Sequence, residues 1–330
     1  MQRLQHHWYR ISPLHLLLFP VSMIFRALVA LRRLLYQTGV LASVKLPVPV
    51  IIVGNISVGG TGKTPLTLWL AQQLIEEGWH PGIISRGYRK SKHVPNTLRA
   101  VNTDDSADEV GDEPLLMAQR EICPVWVGRD RPAVAQAMLN AHPQCDVILS
   151  DDGLQHYRLQ RDVEIAVVDG ARRFGNGLLL PAGPLREPVS RLQQMDAVVV
   201  NGGEVHGNEF AMSLRGTHFY NLLNPEITIT ASALSGQRLH AIAGIGHPQR
   251  FFSHLQQLGL SCSGHAYSDH HVYIANDIAF DDADAILMTE KDAVKCAAFA
   301  TEKHWVLRVD AQVSPTLAQL IIKKVTPDGR

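Results

Sequence analysis

Residues 55–64 of the chain read Asn-Ile-Ser-Val-Gly-Gly-Thr-Gly-Lys-Thr. Gly59, Gly60 and Gly62 let the backbone curl so that successive amide N–H groups point inward, the geometry that cradles phosphate oxygens. Ser57, Val58 and Thr61 complete that ring of amides. Lys63 can place a point charge on the β- and γ-phosphates of a nucleotide, and Thr64 can offer a hydroxyl to Mg2+. The strict pattern G-x-x-x-x-G-K-[ST] is not met, because Ser57 stands where its first glycine belongs. A glycine-rich turn without a ligand is the plain alternative. A dinucleotide loop fits less well, since a Lys-Thr pair has no role in one.

Carboxylates recur in positions that suit the same chemistry. Asp151-Asp152-Gly153 follows the apolar run 147–149. The end of such a strand is where ligands of open α/β sheets bind, and acids there can hold Mg2+ directly or through water. An Asp-Gly pair is also an ordinary turn. Gln155 and His156 come directly after it. Asp112 precedes the helical run 114–120, where it can cap the helix or face a cleft; spacing alone leaves both open. Ser85, Arg86 and Tyr88, then Arg129, then Arg172 and Arg173, form basic, glycine-broken segments after predicted strands and suit an anionic or sugar-like substrate. Asp269-His270-His271 reads as exposed histidines, as a base with its partner, or as a ligand pair. No further His/Cys group has metal spacing, so the metal reading is set aside. Residues 289–292 (Thr-Glu-Lys-Asp) cap a helix or complete the wall of the cleft.

These groups need a frame. Residues 48–54 are apolar on both faces, the pattern of a buried parallel strand, and a helical run 65–77 follows the glycine loop. Further strands are expected at 82–84, 124–127, 147–149, 163–170 and 196–201. Alternating with helices, they predict a doubly wound parallel sheet of the P-loop NTPase type. Strands near 226–230, 239–243, 285–288 and 304–309 predict a second, smaller α/β domain. The expected organisation is an N-terminal helix over 1–40, a phosphate-loop domain over 41–222, and a domain over 223–330 that closes the cleft and brings Asp269-His270 opposite the loop.

A chain of 330 residues with 46% hydrophobic and 19% charged side chains is long and apolar enough for two cores, which excludes global disorder. Balanced charge, 31 basic against 31 acidic residues, argues against a nucleic-acid partner. The balance is uneven along the chain: residues 1–75 hold seven of the basic side chains and none of the acidic ones, the first of which is Glu76. A basic head on an acidic body suits a membrane or polyanion surface. Cys123, Cys145, Cys262 and Cys296 form no C-x-x-C pair, so neither a zinc nor a redox motif is readable.

Residues 11–25 carry no ionisable side chain except His15, but fifteen residues fall short of the ~20 that span a bilayer. A helix starting near Pro20 would place that proline in its tolerated first turn. His15, Ser22, Arg26, Arg33 and Gln37 then fall on one polar stripe, with arginines able to reach headgroups. A signal peptide is disfavoured because no small-residue cleavage site follows. A buried helix is the plainer alternative to the favoured reading, an interfacial anchor on the cytosolic side of a membrane.

Taken in order, VGNISVGGTGKTP (53–65), ISRGYRK (84–90), GDEP (111–114), VGRDR (127–131), SDDGLQH (150–156), VDGARRFGNGLLLPAGPLREP (168–188), DHH (269–271) and TEKDAVK (289–295) resemble the tetraacyldisaccharide 4'-kinase family over nearly the whole chain. The resemblance implies transfer of phosphate from MgATP to the 4'-hydroxyl of a tetraacylated glucosamine disaccharide 1-phosphate. It also implies a peripheral protein on the cytosolic face of the bacterial inner membrane. Lys63 and Thr64 then belong to phosphate and Mg2+ binding, and Asp151 and Asp152 to the metal side. Asp112 and His270 match an Asp–His pair that activates the acceptor hydroxyl, with His271 beside it as the competing ring. Ser85, Arg86, Tyr88, Arg129, Gln155, His156, Arg172 and Arg173 are the candidates for substrate contacts. The rival readings are a membrane-associated partitioning ATPase and a cytosolic kinase or ligase of a small acid. The first normally carries a lysine where Val58 stands.

Overall fold

The computed structural model describes residues 7–9, 13–87 and 98–326. In chain order its main elements are α1 (Leu14–Gln37), β1 (Val50–Gly54), α2 (Lys63–Glu76), β2 (Pro81–Ser85), β3 (Arg99–Ala100), α3 (Asp112–Gln119), β4 (Val125–Val127), α4 (Arg131–Ala141), β5 (Val147–Asp151), β6 (Val163–Asp169), β7 (Ala197–Asn201) and β8 (Phe210–Arg215). There follow β9 (His218–Asn221), β10 (Thr228–Thr230), β11 (Leu239–Ala243), α5 (Pro248–Gln257), β12 (Cys262–Ala266), β13 (Ala285–Thr289), α6 (Glu290–Cys296), β14 (His304–Leu307), β15 (Asp310–Val313) and α7 (Pro315–Val325).

Two sheets form. The larger has the order β15-β8-β7-β6-β1-β5-β2-β4-β3. Its body is parallel, with antiparallel strands only at its edges. β1 is buried along its whole length because β-branched residues fill both of its faces and helices cover the sheet on each side. The chain winds outward from β1 to β2 and β4, returns to β5, and then crosses to β6. The carboxyl ends of β1, β5 and β6 therefore meet at the switch point where such sheets bind ligands. The register pairs Val53 with Asp151, so the acidic pair lies level with the start of the glycine loop. This is the doubly wound fold expected from the alternating pattern.

The second sheet has the order β10-β9-β14-β13-β11-β12, with a core on each face. The sheets divide the chain differently from the expected 41–222 and 223–330 segments. β9 already pairs in the second sheet. At the other end, β15 returns to pair with β8, and α7 buries Leu317, Ile321 and Val325 in the first core. Short strands such as β15 carry too little pattern to reveal which sheet edge they join.

Arg120, at the end of α3, stitches the two bodies together. Its guanidinium lies 2.8 Å from Glu290 and 2.7 Å from Asp310, and donates to the Val309 carbonyl. Glu290 is buried and also accepts the Val309 amide. Arg120→Met should cost about 3–5 kcal/mol, because it strands a buried carboxylate. The measurement is the urea midpoint, and Glu290→Gln added to Arg120→Met should recover most of the loss.

Helix α1 begins six residues before Pro20, so the proline sits inside the helix and forgoes a bond to the Leu16 carbonyl. At 24 residues it is about 36 Å long. The segment His15–Gln37 is long and apolar enough to cross a membrane by length and composition, contrary to the shorter span expected from residues 11–25. Part of the polar stripe faces inward. Ser22 donates to the Leu179 carbonyl at 2.7 Å, His15 is buried, and Arg33 donates to Gln194, whereas Arg26 and Gln37 remain exposed. Leu16, Leu17, Ile24, Leu28, Leu31 and Leu34 point outward, each more than half exposed.

Candidate active site

The loop between β1 and α2 is held from three sides. Asn55 Nδ2 donates to the Gly59 carbonyl at 3.2 Å, and Asn201 Nδ2 from the end of β7 donates to the Thr61 carbonyl at 3.0 Å. The Val58 amide donates to Pro184 at 2.8 Å, and Ser57 bridges Leu185. Gly62 has φ +97°, and a Cβ there would stand 2.4 Å from Asn201 Nδ2, so only glycine allows both the turn and the close approach. Helix α2 starts at Lys63. Its amide end faces the site, and Thr64 is buried in the first turn.

The end of β5 divides the two acids sharply. Asp151 is fully buried, and neither carboxylate oxygen accepts a hydrogen bond among the described residues. Burial and the Glu113 carboxylate push it up to about 7. A buried carboxylate with both oxygens uncommitted and a buried threonine hydroxyl, Thr64, in the first turn of α2 are the hard-oxygen donors that Mg2+ selects, so these residues fit that ion. Asp152 has φ +48° and turns toward Lys63 Nζ at 3.5 Å and Arg186 at 3.3 Å. Burial works against its charge, but those two cations hold it down to about 2.

Across the cleft, His270 Nδ1 lies 3.1 Å from Asp112 Oδ2. Asp112 is buried in the first turn of α3, and His270 sits at φ +58° in a second-domain loop. A strained φ at both Asp152 and His270 is the kind of distortion that clusters at functional sites. His271 points elsewhere: its Nε2 lies 3.0 Å from Asp277, and its ring stacks on Tyr267 at 4.6 Å. Of the two rings, His270 is the one that meets Asp112.

The other expected substrate residues separate. Arg86 is exposed at the end of β2, where Ser85 is buried; Tyr88 lies outside the described residues. Gln155 donates to Glu187 at 2.6 Å and to the Asn55 carbonyl at 3.2 Å, which ties it to the loop entry. His156 is half-buried, and burial together with Arg131 and Arg86 pushes it down to about 4, so it is neutral at pH 7. Arg172 is taken up by Asp169 and the Gly60 carbonyl, and Arg173 by Glu209 and the Glu204 carbonyl. Neither presents a free guanidinium: Arg172 braces the phosphate loop, and Arg173 ties its own turn to the segment 204–209. Arg129 is exposed, while Arg131 turns in and donates to the Asp151 carbonyl at 2.8 Å. Its Nε and Nη1 are buried and donate to no partner among the described residues.

Several residues around the site were not singled out from sequence. Glu113 follows Asp112, and Lys291 reaches it from α6 at 3.0 Å. Arg186 and Glu187 sit in the long 168–188 motif, and Arg250 of α5 donates to the Asn201 carbonyl at 2.9 Å. For Glu113, Lys291, Arg186 and Glu187 a position in a recognisable motif is the only signal, and Arg250 has none, since each acts through a long-range contact.

A parallel sheet with a glycine loop and Lys-Thr at its switch point, a buried acid on the next strand, and an Asp–His pair facing them defines a P-loop phosphotransferase. The chain belongs to the tetraacyldisaccharide-1-P 4'-kinase family, whose family model matches residues 14–326. It is 51% identical over 324 residues to the tetraacyldisaccharide 4'-kinase of Methylobacillus flagellatus, covering 98% of this chain and 96% of that one. The kinase of the same name from Pseudomonas putida is 45% identical over 317 residues, covering 96% and 94%. Among solved structures, the "apo" form of LpxK from Aquifex aeolicus in complex with ATP superposes with a TM-score of 0.79 at 30% identity, covering 95% of this chain and all of that one. Family membership sets aside the partitioning ATPase and the small-acid ligase.

Proposed function

We propose that this kinase transfers the γ-phosphate of ATP to the 4'-hydroxyl of a tetraacylated glucosamine disaccharide 1-phosphate. The observation that carries the reading is the Asp112–His270 pair held opposite Lys63 and the β5 acids. The loop amides and Lys63 bind and orient the phosphates. Thr64, Asp151 and Asp152 offer the oxygens for Mg2+, which when bound neutralises phosphate charge. A sugar hydroxyl is a poor nucleophile, so a base within hydrogen-bond reach is useful. A carboxylate only accepts, so Asp112 fixes the proton of His270 on Nδ1, and Nε2, which faces Asp269 Oδ2 at 3.9 Å, is the atom to take the hydroxyl proton. The exposed Arg86 and the neutral His156 line the side on which an anionic sugar would lie, and the buried Arg131 adds positive charge from behind them. Most of the rate would come from alignment and charge neutralisation. The test is transfer of labelled γ-phosphate to the lipid disaccharide; ATP hydrolysis with no labelled lipid would count against the reading.

The acceptor's acyl chains resist leaving the bilayer, at about 0.8 kcal/mol per buried CH2. Helix α1 offers an outward apolar face beside the loop 176–185, with its inward face bonded to the body. This supports a monotopic anchor on the cytosolic face of the inner membrane, with the basic head against anionic lipid. Ile24→Glu combined with Leu28→Glu should lower co-sedimentation with anionic vesicles at least about tenfold. Turnover of detergent-dispersed acceptor should stay within about threefold of the parent. Unchanged sedimentation would remove the anchor from this helix.

A further inference from the structure

Lys291 is the one lysine of α6 that reaches out of its own domain into the cleft. Its ammonium lies 3.0 Å from Glu113 Oε1 and 3.5 Å from Asp269 Oδ1. Glu113 is the chain neighbour of Asp112, and Asp269 is the chain neighbour of His270. The lysine thus binds one residue beside each member of the Asp112–His270 pair. Those two members come from different domains and are 158 residues apart. We infer that Lys291 is the positioning residue that assembles the base: by clamping Glu113 and Asp269 across the cleft, it sets the separation and alignment of Asp112 and His270.

Two further facts favour a clamp over a surface ion pair. The lysine side chain is 17% exposed, so the pair is screened little by solvent. Burial disfavours its charge, but Glu113 and Asp269 outweigh that and hold the ammonium above the ordinary lysine range. Against its own burial, Lys291 and then Lys63 hold Glu113 below the usual carboxylate range. Three carboxylates, those of Asp112, Glu113 and Asp269, meet here. Without the cation their repulsion would drive the loop bearing His270 off α3. Distal helix α6 is itself fixed by Arg120 on Glu290, the residue before Lys291, so the clamp has a rigid base. A misplacement of about 1 Å at a reacting group can cost roughly 100-fold in rate.

This inference rests on the Asp112–His270 reading, and the experiment separates the two. Kinase turnover, ATP KM and thermal midpoint are measured for full-length Lys291→Met, Lys291→Arg, Asp269→Asn and His270→Ala. For Lys291→Met we expect kcat to fall roughly 10- to 100-fold with ATP KM within threefold. The acidic limb of kcat against pH should move to higher pH, because Glu113 and Asp269 now favour a protonated imidazole without a compensating cation. Lys291→Arg keeps the charge and should recover kcat to within about fivefold. Should Lys291→Met fail to fold, Asp269→Asn carries the test: kcat falls and the acidic limb moves the opposite way, to lower pH. A near-normal His270→Ala would sink the base itself. An inactive His270→Ala with Lys291→Met at parental kcat, or slowed at every pH with an unmoved limb, would overturn the clamp.

Discussion

Lys63→Ala lowers kcat by roughly 100- to 1,000-fold, the scale on which removal of one preorganised group at the developing charge is felt. The Lys63 side chain is 10% exposed at the head of α2, and its Nζ lies 3.5 Å from Asp152. Its charge has no substitute among the loop amides, which are fixed by Asn55, Asn201 and Pro184 whether or not the lysine is present. The loss should therefore fall mainly on turnover. A second effect follows from the ion pair. Asp152 is held down to about 2 chiefly by Lys63 and then Arg186, both working against burial. A depressed carboxylate contributes stability that is present above its unfolded value and is lost as pH falls through the folded one. Removing Lys63 should shrink that contribution, so the variant loses its acid-side stability at higher pH than the parent. Steady-state kinetics and acid denaturation check the two parts; parental kcat would show that the phosphates are bound elsewhere.

Asp112→Ala and His270→Ala should each cut turnover at least ~100-fold, the usual range for loss of a general base. The two act as a unit through one 3.1 Å contact, so the double variant should be little slower than either single one. ATP KM should move less than about threefold, because neither side chain belongs to the phosphate loop. Asp112→Asn keeps the shape but presents an amide that can also donate, and it should fail nearly as badly. His271→Ala, whose ring is held by Asp277 and Tyr267 away from Asp112, should lose far less. Near-normal turnover in both Asp112→Ala and His270→Ala would end the mechanism.

The readable parts of this protein were the contiguous ones. β1, the glycine loop and α2 follow one another within 27 residues, and Asp151-Asp152 closes its own strand, so local pattern sufficed for each. Arg129 and Arg131 show the limit. Both lie in one basic motif, and only the start of α4 turns Arg131 inward and leaves Arg129 in solvent. Arg172 and Arg173 have the composition of a substrate loop, yet Asp169, Glu209 and backbone carbonyls consume them. The polar stripe of α1 was legible, but its partners Leu179 and Gln194 lie more than 150 residues away.

By itself, then, the sequence determined the phosphate loop, the alternating α/β plan, the apolar charge-asymmetric head and, through its ordered motifs, the family. Each of these is written in neighbouring residues, where backbone geometry and periodicity act. Tertiary structure alone decided which histidine meets Asp112, that Asp151 is the uncommitted acid, that β15 and α7 rejoin the first sheet, and that Lys291 spans the cleft. Those are contacts between residues far apart in the chain, fixed by packing and by the pairing of buried charges, and no spacing along the sequence encodes them.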